Sequence, residues 1–256
     1  MEIAPLNPAF EPIFWKHVNR DIPHYFFFAF DWKYRKDDTN ILLALTGRRI
    51  DGMMLVYKKR IVQLRGNRKA TKVLLERLDL EEVELQALKE HKEYILEKYE
   101  PTWTHELMLM VLHKGQEKLH TPHQIVKLDA LDAEQIASIM NEANPEFWGT
   151  VSIDQIVQGM SGVNCIGIKV DGELASICRA RLTDELGHIA TVATHEVHRN
   201  KGYATSLVSH SVKSILEKRS TVIIYVLNDN QPAIRVYKKV GFKPYKTYYF
   251  MKGKRR

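Results

Sequence analysis

The chain has 256 residues, of which 45% are hydrophobic and 27% charged, and its formal net charge is +7. This is enough material for one large domain or two of ordinary size, with the composition of a soluble globular protein. No stretch approaches the ~20 apolar residues of a membrane span, and Met1–Leu6 lacks the basic and apolar regions of a secretory signal. Cys165 and Cys178 lie in apolar runs without metal-ligand spacing, which predicts buried thiols, no metal site and a cytoplasmic protein.

The first half of the sequence alternates between strand-like and helix-like segments. Short runs rich in β-branched residues predict strands, and longer amphipathic stretches predict helices. The predicted elements are strands at Ile41–Leu45, Met53–Val56 and Ile61–Leu64, a helix to about Arg77, a strand at Val83–Leu85, a helix at Leu88–Lys98 and a strand at Trp103–Val111. The polar segment Gly115–His123 then predicts a boundary between a domain of residues 1–120 and one of residues 121–256.

The second half begins with a strand at Gln124–Leu128 and a helix that we expect Asp132 to cap. The later elements follow in the order hairpin, strand, helix, strand, helix, strand. They are a helix near Ile153–Val157, strands Cys165–Val170 and Leu174–Arg181 around the turn Asp171-Gly172, strand His188–Thr194, helix Lys201–Lys218, strand Thr221–Leu227, helix Pro232–Val240 and strand Lys246–Met251. The basic end Lys252–Arg256 is expected to be disordered.

A short basic segment, Arg199–Thr205, joins the predicted strand to the long helix. The first N–H groups of a helix lack helical partners and its dipole places positive charge there, so such a turn is a ready anion site. Gly202 has no Cβ to keep a phosphate away from the backbone, and Ala204 is small. Taken alone, the segment is equally well an ordinary solvated turn.

A second informative segment surrounds the last helix. Pro232 suits its first turn, Gly241 suits its end, and the spacing of its apolar residues places Tyr237 on the inward face. Taken alone, Tyr237 would be a core tyrosine.

Together the two segments resemble the GNAT superfamily of acyl-CoA-dependent N-acyltransferases. Arg199–Ala204 matches the family's pyrophosphate loop, R/Q-x-x-G-x-G/A. The family's later signature, N-x-x-A-x-x-x-Y-x-x-x-G-F, is matched by Asn230, Ala233, Tyr237, Gly241 and Phe242. The sequence of Val192–Thr205 is most similar to that of the glycine N-acyltransferase-like branch. The resemblance implies an α/β GNAT fold, with a mixed central sheet flanked by helices.

The resemblance also implies acetyl-CoA as cofactor, CoA as product and no metal. Strand backbone would hold the pantetheine, loop amides would hold the pyrophosphate, and Asn230 would contact the pantetheine arm. The implied cofactor-binding residues are Val192, Ala193, Thr194, Arg199, Asn200, Lys201, Gly202, Tyr203, Ala204, Thr205, Asn230, Ala233 and Tyr237. Tyr237 would also be catalytic, because a phenol with a pKa of ~10 is a suitable proton donor to the departing thiolate.

The general base is less strongly indicated. His188 lies eleven residues before Arg199, where some family members place a catalytic Glu or His on the same strand, and an imidazole titrates in the right range. The alternative is a surface histidine at the start of a strand. His195, Glu196 and Glu173 are rival candidates. For the acceptor pocket the resemblance points to the neighbourhood of Phe147, Trp148, Arg179, Arg181 and Tyr245–Phe250.

The first half is also expected to be a degenerate copy of the second. Arg65–Thr71 aligns with Arg199–Thr205 at a constant offset, but Arg68 replaces Gly202 and no N-x-x-A-x-x-x-Y pattern follows. The alternative is an unrelated α/β domain.

The leading functional hypothesis is an acetyl-CoA-dependent N-acetyltransferase of a primary amine, carried by a small molecule or an amino acid. The alternatives are an amino-acid N-acyltransferase that uses a longer acyl-CoA and a non-catalytic acyl-CoA-binding regulator. The expected partner is a small amine, with no membrane, in a monomer or homodimer. Nucleic acid is not expected, since the positive charge is not arranged with aromatic residues on one element.

Overall fold

The computed structural model describes residues 1–144, 147 and 149–256. It divides into two compact units, and each is described below by itself. The first unit contains Met1–Leu109, Leu227–Asp229 and Lys246–Arg256, and the second contains Met110–Val226 and Asn230–Tyr245. Among the described residues no helix is long and apolar enough to cross a membrane. The domain boundary at residue 120 stays a prediction.

The secondary structure alternates along the chain, as the sequence patterns predict. The described strands are β1 (Glu2–Pro5), β2 (Thr39–Thr46), β3 (Arg49–Tyr57), β4 (Ile61–Gly66), β5 (Glu82–Leu88), β6 (Tyr99–His113), β7 (Val126–Lys127), β8 (Val163–Val170), β9 (Glu173–Leu182), β10 (Gly187–Thr194), β11 (Thr221–Leu227) and β12 (Lys243–Arg255). The described α-helices are α1 (Glu11–Val18), α2 (Phe26–Tyr34), α3 (Arg68–Glu76), α4 (Lys92–Lys98), α5 (Ala133–Ala143), α6 (Ile153–Gln158), α7 (Tyr203–Leu216) and α8 (Gln231–Val240).

The first unit is built on a sheet in the order β1-β2-β3-β4-β5-β12. Only β4 and β5 are parallel, and the other neighbours are antiparallel. Helix α3 connects β4 to β5 and covers one face, where Ala44 is in the core with Leu74. Residues Leu43 and Leu45 of β2 face the opposite core with Phe14 of α1. The alternation of side chains along β2 therefore serves two buried faces.

The second unit is built on the order β11-β10-β9-β8-β7, in which only β10 and β11 are parallel. Helix α7 connects β10 to β11 and packs on β9, β10 and α8. Helix α5 packs on β9 and β10 as well, and its core contains Ile136 together with Ile177 and Ala193 of the strands. Strands β7–β11 with α7 thus repeat the order and directions of β1–β5 with α3.

The basic C-terminal residues are not disordered, contrary to the expectation from charge. Lys252, Gly253 and Lys254 continue β12 and pair with Glu84, Val83 and Glu82 of β5. Lys254 also forms an ion pair with Glu82. Backbone pairing with β5 therefore orders a segment that its charge alone would leave in solvent.

The predicted start of α5 is correct, since Asp132 precedes its first residue, but the predicted side-chain cap is wrong, and so is the predicted start of α4. Asp129, not Asp132, caps the helical segment ahead of α5, since its Oδ1 accepts a hydrogen bond from the amide of Leu131 at 2.8 Å. Asp132 instead accepts from the amide of Asp129, which completes a capping box. Leu88 ends β5, and α4 begins at Lys92 after one 3₁₀ turn.

The alignment of Arg65–Thr71 with Arg199–Thr205 is wrong in register. A single residue, Asn67, separates β4 from α3, whereas eight residues, 195–202, separate β10 from α7. Arg65 is part of β4 and is fully buried, and Asn67 Oδ1 accepts from the amide of Ala70 at 2.9 Å. The start of α3 is therefore closed by its own cap, and no loop is present there to surround a pyrophosphate.

Candidate active site

An opening in the sheet of the second unit lies where the parallel strands β10 and β11 separate. Their register covers Gly187–Ile189 and Val222–Ile224, whereas β10 continues to Thr194 with β9 as its neighbour. The β10–β9 register shifts between Ile189 and Thr191, which marks a bulge at that point. One edge of β10 thus loses its strand partner over Val192–Thr194, the residues expected to pair with pantetheine.

The β9 strand holds this free portion of β10 in place. Ser176 Oγ donates to the carbonyl of Ala193 at 3.0 Å and lies 2.8 Å from Thr194 Oγ1. The amide of His195 donates to the carbonyl of Ala175 at 3.0 Å. The edge facing the opening is therefore positioned without help from β11.

The predicted phosphate loop runs from the end of β10 to the start of α7. Gly202 is the N-cap residue of α7 with φ +83°, and no described side chain caps this helix. Asn200 also has a positive φ, of 63°. Lys201 is exposed, and the Arg199 side chain bonds back to the carbonyl of Thr194 through Nε at 3.4 Å. The loop therefore presents uncapped helix amides beside exposed cationic side chains, which suits an anion.

Two residues that the motifs did not indicate support this loop. Glu142 of α5 accepts from the amide of Glu196 at 3.0 Å and lies 3.3 Å from His195 Nε2. His123 lies 2.7 Å from Ser206 Oγ through Nδ1, and its ring stands edge-on to Tyr203 at 4.8 Å between centroids. Neither residue belongs to a local pattern, because each reaches the loop from a distant part of the chain.

The start of α8 carries the predicted Asn230 and Ala233. Asn230 Oδ1 accepts from the amide of Ala233 at 3.2 Å, so the asparagine is the N-cap of this helix. Gly241 ends the helix with φ +114°, and a Cβ there would meet the carbonyl oxygen of Gln116 at 2.3 Å. The signature residues thus fix both ends of the helix that carries Tyr237.

Tyr237 is 5% exposed and packs edge-on to Phe242 at 6.2 Å between ring centroids. Burial raises the pKa of its phenol above the ordinary value, and the nearby Cys178 thiol acts in the same direction. The hydroxyl consequently keeps its proton throughout the neutral range. Both the core role and the proton-donor role are compatible with this placement.

His188 lies in the paired part of β10, opposite Ile223 of β11 and Arg181 of β9. It is 6% exposed and stands edge-on to Tyr225 at 6.1 Å, so the surface-histidine alternative is wrong. Among its rivals, Glu196 and Glu173 are exposed and His195 is paired with Glu142.

The two candidate catalytic residues, Tyr237 and His188, lie on opposite faces of this sheet. Cys178 contacts Ser211 of α7, with Sγ 3.2 Å from Oγ, so this position of β9 faces α7. Side chains of paired residues share a face, so His188, opposite Arg181, points the other way, like Ala193 opposite Ile177. Tyr237 lies near Cys178, on the α7 side.

Arg179 is a polar residue on the same face as His188. Its Nη2 donates to the carbonyl of Gly159 at 2.9 Å, while the buried Nε has no hydrogen-bond partner among the residues described. Burial lowers its pKa. Of the other acceptor-pocket candidates, Phe147 bonds through its amide to Asn144 Oδ1, and Trp148 lies outside the described residues.

The two thiols are buried, as predicted. Burial raises the pKa of Cys165 to about 11 and that of Cys178 to about 12. A thiol that stays protonated is a poor nucleophile, so neither cysteine is suited to form an acyl-enzyme.

Part of this chain is similar in sequence to known proteins. Residues 165–251 match the family described as FR47-like protein. An N-alpha-acetyltransferase of Sulfurisphaera tokodaii is 37% identical over 71 residues, which is 26% of this chain and 42% of that relative. The matched segment therefore spans less than half of the curated relative.

Solved structures agree over nearly the whole chain. A Drosophila protein aligns with 97% of this chain and 98% of its own, at a TM-score of 0.74 and 11% identity. An acetyltransferase from the GNAT family of Colwellia psychrerythraea aligns over 99% and 100%, at a TM-score of 0.60 and 12% identity. The chain therefore has the fold of the GNAT-family acetyltransferases. The sequence prediction of a mixed sheet with flanking helices is confirmed.

Proposed function

We propose that this chain transfers an acetyl group from acetyl-CoA to a primary amine by direct attack on the thioester. The observation that supports it most strongly is the opening between β10 and β11, which is followed in the chain by the uncapped start of α7 at Gly202. An extended pantetheine pairs with a free strand edge, and a pyrophosphate binds at a helix N-terminus. The GNAT fold places these two features together in one unit.

The opening and the candidate residues on neighbouring elements suit each step of this reaction. The amine nitrogen attacks the carbonyl carbon, and N–H groups of Val192–Thr194 stabilise the negative charge that develops on the oxygen. The C–S bond then breaks, and Tyr237 donates its phenolic proton to the sulfur. His188 takes the proton that the amine nitrogen loses, directly or through a water molecule. The products are the N-acetylated amine and CoA.

Two observations bear on which amine accepts the acetyl group. The name of the archaeal relative, an N-alpha-acetyltransferase, supports an α-amine as acceptor. The buried, incompletely bonded guanidinium of Arg179 favours an amine that also carries a carboxylate, such as an amino acid. This second observation also supports the glycine N-acyltransferase-like branch.

We assign to the first unit the role of a degenerate GNAT-like domain. Strands β1–β5 with α3 repeat the order and directions of β7–β11 with α7, which supports an internal duplication. The Asn67 cap and the one-residue connection before α3 leave no pyrophosphate loop there. In this proposal the first unit has a structural or substrate-shaping role and does not bind a second acetyl-CoA.

The direct test measures CoA release with a thiol reagent, using the purified chain, acetyl-CoA and two panels of acceptors. One panel contains free amino acids, and the other contains peptides with a free N-terminus. We expect saturable turnover with one panel, and benzoyl-CoA in place of acetyl-CoA tests the preference for longer acyl groups. Binding of CoA without turnover on any amine would favour the non-catalytic regulator, and absence of both binding and turnover contradicts the proposal.

A further inference from the structure

A cavity of about 330 Å³ lies within the first unit, and none of its lining residues belongs to the elements of the proposed acetyl-CoA site. Gly66 and Leu88, the last residues of the parallel strands β4 and β5, form one wall of it. The carboxyl ends of parallel strands are where α/β sheets usually bind ligands, and the volume is at the small end of ligand sites. Its polar lining comes from the α1–α2 region and β12 and consists of His17, Arg20, Asp21, His24, Tyr25 and Lys246.

Positive charges outnumber negative charges in the lining of this cavity. Arg20 and Lys246 line it, and Asp21 is the one carboxylate in the lining, 3.5 Å from Lys246 Nζ. Arg65 adds a third cation nearby, fully buried and stacked on the Tyr248 ring at 4.2 Å. The excess of cations favours an anion as occupant.

The Arg65 guanidinium forms hydrogen bonds only with neutral groups. It donates to the carbonyls of Leu64 and Gln86, both at 3.1 Å, and to the side chains of Gln63 and Gln86. No carboxylate within the described residues forms an ion pair with it. A buried cation without a counter-ion is costly, so a nearby anion would be bound with favourable energy.

His24 supplies a neutral hydrogen-bonding group to the same cavity. Its Nδ1 lies 2.7 Å from the Tyr248 hydroxyl, and its ring stands edge-on to Tyr25 at 4.6 Å between centroids. Burial, followed by the charges of Arg65 and Lys246, lowers the pKa of His24 to about 2. When Tyr248 donates to Nδ1, the ring proton is on Nε2, and this N–H is available to an acceptor in the cavity.

We propose that the first unit binds a small oxyanion, a carboxylate or phosphate group, in this cavity between Arg20, Lys246 and His24. The site is independent of the proposed acetyl-CoA site and lies wholly within the unit that lacks a pyrophosphate loop. Lys246 and Arg20 supply the charge, while the neutral imidazole of His24 supplies an oriented donor. Arg65 strengthens the positive potential from behind the Tyr248 ring.

The test is a nuclear magnetic resonance titration of the full chain with isotope-labelled histidine. The titrants are sodium phosphate and, separately, sodium acetate, at constant ionic strength. Loss of one signal in a His24→Gln variant identifies the His24 resonance. We expect that resonance to shift and saturate with at least one of the two anions. Saturation with acetate identifies a carboxylate site, and saturation with phosphate alone identifies a phosphate site.

Matched variants separate the cavity from other anion sites. Lys246→Met should weaken binding by about tenfold, the loss expected for one half-buried ionic contact, and Arg20→Gln should weaken it too. Lys254→Met is the control, because Lys254 lies on the same strand with an exposed side chain paired to Glu82. Gly202→Asp should leave the His24 response unchanged. A linear, unsaturated response to both anions, or equal affinity in Lys246→Met and wild type, overturns the proposal.

Discussion

The Cε1 atom of His123 lies 3.4 Å from the position that a Cβ atom on Gly202 would occupy. It is the one described atom, outside the neighbouring residues, within 4 Å of that position. His123 is itself held by Ser206 of α7 and packs against Tyr203. The space beside the α7 N-terminus is therefore open except on the side where a histidine stands, as a phosphate-binding loop requires.

Gly202→Asp should abolish CoA binding and leave the fold intact. The new side chain enters the open space beside the helix start and adds a negative charge where the pyrophosphate is expected. A like charge in that position costs several kcal/mol, so affinity measured by calorimetry should fall by roughly 100-fold or more.

Gly172→Asp is the matched control for this prediction. Gly172 has φ +88°, close to the +83° of Gly202, and a Cβ there meets no atom within 4 Å. Both variants carry the same backbone strain and the same new charge, so a similar fall in melting temperature is expected. Unchanged CoA affinity in Gly202→Asp, or an equal loss in both variants, contradicts the phosphate-loop assignment.

Tyr237→Phe distinguishes a proton donor from a core tyrosine. The ring still packs on Phe242, so the lost hydroxyl should reduce stability by at most ~1 kcal/mol. If Tyr237 protonates the thiolate, kcat should fall by roughly 100-fold while the affinity for acetyl-CoA stays within a few-fold. Near-normal kcat with the true acceptor would return this residue to the core.

The pH profile gives a second measurement for the same residue. Because the pKa of Tyr237 is raised, the phenol keeps its proton as pH rises through the usual tyrosine range near ~10. Any alkaline fall in kcat that this group causes should therefore occur above that pH in the wild type, and should disappear in Tyr237→Phe. An unchanged alkaline limb in the variant assigns that titration to another group.

The second unit was more predictable from the sequence than the first. Its order hairpin, strand, helix, strand, helix follows from local signals such as Asp171-Gly172 and Gly241, and the structure confirms each of these elements. The supporting contacts of Glu142 and His123 to the loop were not predictable, because both are long-range and neither obeys a local periodicity.

The first unit shows where local patterns mislead. The alignment with Arg199 suggested that Arg65 belongs to a loop. Its guanidinium instead forms hydrogen bonds with residues of β4 and β5, which allows a charged residue inside a strand. Similarly, the charge of Lys252 and Lys254 predicted disorder, but pairing with β5 outweighs it. In both cases tertiary contacts decide what the residue types alone do not.

His188→Gln tests the proposed base, with His195→Gln as its control. Glutamine keeps a polar side chain of similar length at a buried position but cannot accept the proton of an ammonium group. If His188 is the base, kcat should fall by roughly 100-fold or more and its acidic limb should change. His195 pairs with Glu142 at the loop, so its substitution should alter the KM for acetyl-CoA more than kcat. A lower melting temperature with normal kcat in His188→Gln would show a structural role.

Arg68→Gly tests whether the first unit is only one residue short of a cofactor site. Arg68 is the first residue of α3 and forms an exposed ion pair with Glu93 at 2.7 Å, so its removal should change stability little. Asn67 still caps the helix through the amide of Ala70, and a single residue still connects β4 to α3. Calorimetric titration with CoA should therefore give one site per chain in both the wild type and the variant. Two CoA per chain in either protein would contradict this prediction. It would show that the first unit has a working pyrophosphate site despite its short connection before α3.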